Sequence, residues 1–192
     1  GNQRRERDGA RIFNNAFSLD SYFATQTEGV ALCSNSHTTT TGASTASGFD
    51  NLVTSAMTAT AVFAARTQFV GFRDDQAALF DPEPDELWFP PDLAEQAFEI
   101  VKSAGKVDTA YNNKNFNEGR YELHEYRRLT DANNWFMTDK AARKASLFWQ
   151  DRIPMEFAFI ENFDDFVAKW RGYMRFGCNY VGWRWILGAQ VS

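Results

Sequence analysis

Residues 85–101, DELWFPPDLAEQAFEIV, and 119–139, GRYELHEYRRLTDANNWFMTD, decide how this chain is read. In the first, Leu87, Trp88 and Phe89 predict a short buried strand that a double proline stops. Pro91 suits the first position of a helix, where its missing N–H has no partner to lose, and Asp92 and Glu95 favour the positive helix start. Leu93, Ala94, Ala97, Phe98 and Val101 recur at helical spacing and predict one apolar face. In the second, a strand precedes a basic turn, the Thr130–Asn134 corner, and an aromatic strand of Trp135, Phe136 and Met137. Neither stretch offers a nucleophile, a metal site or a phosphate cradle. They read as scaffold.

Working outward, a basic helix end that unravels at Asp8-Gly9 runs into ARIFNNAF at residues 10–17. Residues 29–34 read as a strand, because the apolar run Val30–Cys33 is bounded by turn-prone residues. The Thr/Ser/Gly stretch 37–48 reads as an exposed loop. Asp50 is placed to cap a helix running to about Phe69. Residues 73–86 form an acidic connector and 102–119 a projecting loop. In the last third, Trp170, Met174, Phe176 and Cys178 alternate with Arg171, Tyr173 and Arg175. Trp183, Trp185 and Leu187 alternate likewise around Arg184. Period two predicts one face in the core and cations on the other, toward solvent or a neighbour.

At 192 residues with 16% aromatics, the chain can build one sizeable core, and its composition excludes disorder. No apolar run is long enough for a membrane span, and no secretory signal pattern opens the chain. Two cysteines, Cys33 and Cys178, are too few for a disulfide scaffold and read as free thiols of a reducing compartment. A net charge of −5 argues against a free-standing nucleic-acid-binding module. The charge is unevenly placed: nine acids against Arg73 alone in 71–101, and four bases with no acid in 166–192. Either these are two solvated faces, or an acidic lobe of one subunit meets a basic lobe of the next. Asp74, Asp75, Glu83, Arg171 and Arg175 are the candidate contact charges.

Catalytic chemistry finds little support. A zinc site would need Cys33, His37, His124 and Cys178, which supply only one closely spaced pair. Glu122 and Glu125 have opposite strand parity, and Asp164-Asp165 reads as a turn. No nucleophile elbow and no phosphate loop occurs. No catalytic, cofactor or metal residue is assigned. Six tryptophans raise a sugar- or base-stacking platform, yet Trp88, Trp135, Trp170 and Trp183 sit in core-like contexts, with Trp149 the exposed one.

Taken in order, ARIFNNAF, GVALCSNSH (29–37), the helix after Asp50, LWFPPDLAEQA (87–97), the 119–139 stretch and YVGWRWILGA (180–189) resemble the major capsid proteins of tailed bacteriophages. The Mu-like major head subunits with the HK97-type fold are the nearest likeness within that family. The resemblance implies an α+β chain: a peripheral domain over 1–70, an axial domain over 71–165, and strands returning to the peripheral domain over 166–192. It implies a non-enzymatic shell subunit without cofactors, forming hexamers and pentamers of an icosahedral head around double-stranded DNA. Assembly in the host cytoplasm and scaffolding, portal and decoration partners, but no membrane, follow from the same likeness. An encapsulin-type compartment or gene-transfer particle of the same fold is the alternative, and a carbohydrate-binding module a remoter one. The family also carries an N-terminal arm, an extended loop and most of a long helix before the point where this chain begins with Gly1, so a processed or partial chain is expected.

Overall fold

The computed structural model describes residues 2–23, 28–106, 113–162 and 167–191. The adjacent acids Asp164 and Asp165 lie outside them. Helix α1 spans Asn2–Asn14 without a break at Gly9. The expected unravelling fails because Ala10, Ile12 and Phe13 bury an apolar face, which outweighs the roughly 1 kcal/mol that a helical glycine costs.

Five short strands make the central sheet: β1 (Leu52–Val53), β2 (Glu86–Phe89), β3 (Glu122–Glu125), β4 (Trp135–Thr138) and β7 (Ile186–Ala189). Their order is β1-β7-β4-β2-β3, with the outer pairs parallel and the inner ones antiparallel. All four residues of β4 and of β7 are buried. Near-continuous apolar runs are what strands covered on both faces require. The edge strand β3 is Glu-Leu-His-Glu, and such charges blunt an edge against stray pairing.

Helix α2 spans Ala59–Val70 and starts at Thr58, whose hydroxyl accepts from the Ala61 N–H at 3.0 Å. Asp50 therefore does not cap it. Its carboxylate instead accepts from the Leu52 N–H at 3.0 Å, and Leu52 and Val53 are drawn into strand pairing with Gly188 and Ala189. The strand expected over residues 29–34 is absent. That segment is irregular, with Leu32 and Cys33 buried and the Cys33 N–H donating to Ala16.

After β2, a 3₁₀ turn (Pro91–Leu93) leads into helix α3, Ala94–Lys102. Its buried face is Ala97, Ile100 and Val101. Phe98 points outward at 60% exposure, against the expectation that it lines the core. Spacings of four residues from Ala94 and three from Val101 fit two faces of so short a helix, and the polar side won this ring.

Helix α4 (Lys140–Ser146) feeds the long strand β5 (Leu147–Asn162), which pairs antiparallel with β6 (Val167–Tyr180) in a separate two-stranded ribbon. The alternation expected to bury Trp170 does not do so: this ring is 77% exposed. Only Cys178 and Tyr180, at the base of β6, are buried. There α1 supplies a cover, with Arg4 and Arg5 over the Phe176 ring and Arg5 bonded to Asp151 at 2.8 Å. One connected core links α1, α2, α3, the central sheet and the ribbon base. It centres on Phe13, whose ring meets Trp88 and Phe136, both at 5.3 Å.

Candidate functional site

The β5–β6 ribbon has two chemically different faces. Cross-strand partners share a face, so the pairs Phe157–Gly172 and Phe159–Trp170 put their rings on one side. Phe159 and Trp170 lie 4.5 Å apart, and the bare Gly172 leaves room for the Phe157 ring beside it. Phe157, Phe159 and Trp170 are 76, 50 and 77% exposed, an open aromatic strip. On the other side, the pairs Ile160–Lys169, Ala158–Arg171, Glu156–Tyr173 and Ile153–Arg175 set three cations against one acid. Arg171 and Arg175 are exposed.

The acidic candidates divide into two kinds. Asp74 is engaged within the chain, its carboxylate accepting from the Gln76 and Ala78 N–H groups at 2.9 Å. Asp75 accepts from Thr40 and lies 4.0 Å from the Arg184 guanidinium, and these hydrogen bonds lower its pKa. Arg184, expected to face solvent or a neighbour, instead turns inward, donating to the Arg73 carbonyl and stacking over Trp183. Glu83 is exposed, with only its backbone N–H tied, to Asp139 at 2.9 Å. On α3, Glu95 and Glu99 are exposed next to Phe98, and Asp92 is exposed in the 3₁₀ turn before the helix.

A buried ion network escaped the sequence reading. Glu86, counted there among the connector acids, has no solvent exposure. It accepts two bonds from Arg143, at 2.8 and 2.9 Å, and one from Thr138 at 2.7 Å. Those donors outweigh its burial and bring its carboxyl down to about 2. His124 Nε2 stands 3.5 Å from Glu86 and 3.6 Å from Glu122. One atom each of Glu86, Glu122 and His124 falls within 4.8 Å, a spacing a cation can use. However, Arg143 and Lys140 already supply the positive charge here, so the cluster reads as an internal salt network. An acid directly before the apolar word Leu-Trp-Phe, at the strand's first position, was the available signal.

A second buried node is Asn51. Its amide nitrogen donates to the Leu32 and Ile186 carbonyls at 2.9 and 3.0 Å, and its oxygen accepts from the Ser34 N–H at 2.8 Å. His37, expected in an exposed loop, is buried, stacked on Trp183 at 4.2 Å. Its Nε2 meets the Asn51 oxygen at 3.0 Å and its Nδ1 the Glu28 carboxylate at 3.2 Å. Burial pushes its pKa below the ordinary value, with Glu28 opposing. Cys33 is buried too, its thiol pushed far up by desolvation. His37, His124, Cys33 and Cys178 each have separate neighbours, so they do not converge as a zinc set. Beside His37, a cleft of about 380 Å³ is lined by Glu28, Thr38, Thr40, Asp75, Trp183 and Arg184.

No clustered nucleophile and base appears among these described groups. Among the described residues the surface offers an aromatic strip and a cationic face on the ribbon, and an acidic face on α3. A family model described as phage capsid protein matches residues 19–188. No curated protein matches the chain.

Proposed function

This chain belongs to the phage capsid protein family, and from that premise we propose that it is the major head subunit of a tailed phage with an HK97-type fold, of the Mu-like kind. As a member of that family it is a structural protein of the virion capsid with an α+β architecture. In this reading many copies form hexamers and pentamers that close into an icosahedral shell. Residues 1–70 and 166–192 serve as the peripheral domain and 71–165 as the axial domain. The shell encloses double-stranded DNA, touching its phosphates without base readout, as suits a net acidic subunit. It assembles in the host cytoplasm with scaffolding, portal and decoration proteins as partners.

The observation that supports assembly is the ribbon. A two-stranded ribbon is marginal alone, and this one extends past its covered base with Phe157, Phe159 and Trp170 open to water. Contiguous exposed aromatics of that kind mark surfaces that are covered in an assembly. In this reading Glu83, Arg171 and Arg175 set register between copies, while Asp74 and Asp75, bound to Gln76, Ala78 and Thr40 within the chain, shape their own loop.

Negative-stain microscopy and sedimentation of the intact protein test the reading. Uniform closed shells are the expected result, and packaged DNA within them separates a phage head from an encapsulin-type compartment. A protein that stays monomeric at every concentration overturns it.

A further inference from the structure

We propose that the outward face of α3 in one subunit docks on the cationic face of β6 in a neighbouring copy, a contact that rests on the capsid reading. Helix α3 buries Ala97, Ile100 and Val101 and turns the opposite side to water. That side carries Glu95 and Glu99 next to Phe98, with Asp92 exposed in the 3₁₀ turn just before the helix, so an exposed ring borders an acidic edge. Among the described residues none of these three carboxylates has an ion pair.

The ribbon presents the complement. Lys169, Arg171 and Arg175 are exposed on one face and likewise lack ion pairs among the described residues. They are interleaved with Tyr173 and Ile160, 46 and 65% exposed, and with the single acid Glu156. Spacing agrees as well. Glu95 and Glu99 are one helical turn apart, about 6 Å along the axis. Lys169 and Arg171 are two strand residues apart, about 6.8 Å. Two carboxylates thus meet two consecutive cations while Phe98 reaches the Ile160–Tyr173 surface.

A copy of this chain is the occupant because each half of the match is carried by the same polypeptide. In the subunit, α3 packs beside β3, whereas the ribbon is joined at its base to α4 and α1. The contact is therefore heterologous, head to tail, and such contacts build closed rings when the rotation closes. Charge pairing of this kind fixes register and suppresses wrong partners more than it adds affinity.

Charge swapping tests it. Glu95→Lys with Glu99→Lys, and separately Lys169→Glu with Arg171→Glu, should each lower the yield of sedimenting shells by about tenfold or more, and the two combined should restore it to within about threefold. Unchanged melting temperatures keep each variant interpretable, because all four positions are exposed. Shells that form normally from either reversed pair overturn the contact and leave the capsid reading standing, as does a folded combined variant without recovery. Failure of the unaltered chain to form any shell overturns both.

Discussion

Arg143 lays two guanidinium nitrogens on the two oxygens of Glu86, at 2.8 and 2.9 Å, where the carboxylate has no solvent exposure. The pair joins α4 to the second strand of the central sheet, and Thr138 on β4 completes it. Removing one partner leaves a buried charge alone. Arg143→Ala should cost about 3–5 kcal/mol in urea unfolding, whereas the paired replacement Glu86→Leu with Arg143→Met should cost less than the single one. A double variant weaker than the single would refute this.

Acid sensitivity follows from the same carboxylate. Glu86 falls from 4.5 to about 2, and Asp20, held by Arg11 at 2.6 Å, from 3.8 to about 2. Both folded values lie below the unfolded ones, so their stabilisation is fully present above the unfolded pKa and drains away as pH falls toward 2. For Glu86 the difference is worth about 3 kcal/mol. Stability measured by denaturant at pH 5, 4, 3 and 2 should decline through that window, and Glu86→Gln should flatten much of the slope.

His37 sets a second, separate window. Burial lowers its folded pKa below 6.5, so between those values the unfolded chain takes up a proton that the folded chain refuses. By linkage, stability drops as pH falls through about 6.5 and then levels once the folded ring also titrates. Denaturation midpoints between about pH 7.5 and 5.5 should show this step, and His37→Gln should remove it. A step that survives the substitution would assign it to another group.

How far these features could be read beforehand differs by element, for a physical reason. Trp135–Met137 and Leu87–Phe89 were legible because strands covered on both faces need apolar runs, and Pro91 marks a helix start by its own covalent limits. Thr58 and Asp50 are equally competent caps, and the choice between them was made by pairing of Leu52 with Gly188, far away in sequence. Period two in β6 was read correctly as a strand, but periodicity does not say whether a face finds a cover. Asn51 reads as the first turn of a helix after Asp50 and His37 as a loop residue, because their partners, at Ile186, Trp183 and Glu28, come together only in the fold. The charge imbalance itself was legible, while the division between internally bound Asp74 and outward-facing α3 acids required the structure.

Gly48 is held at φ +79°, and a Cβ there would press on the Gly71 carbonyl and lie 2.8 Å from Arg73 Cγ. The strained backbone and the clash act together, so Gly48→Ala should destabilise by about 2–4 kcal/mol. Gly42, at φ +75° with nothing near its Cβ direction, isolates the strain. Gly42→Ala should cost clearly less in the same thermal melts, and equal losses would mean that the space around Gly48 is not what matters.

Trp170 and Trp183 provide the sharpest contrast between holding a fold and holding an assembly. Trp183 is 4% exposed and packs on His37 and Phe72, so Trp183→Ser should lower stability by about 3–5 kcal/mol, the cost of emptying a buried aromatic site. Trp170 is 77% exposed and touches Phe159, so Trp170→Ser should stay within about 1 kcal/mol of the unaltered chain. If the strip is covered in the shell, that same change forfeits about 2–3 kcal/mol of burial at each copy. A loss too small to see in one subunit then recurs around every ring, and shell yield should fall steeply while the melting curve does not move. Normal shells from the Trp170→Ser chain would show that the aromatic strip is not a surface on which assembly depends.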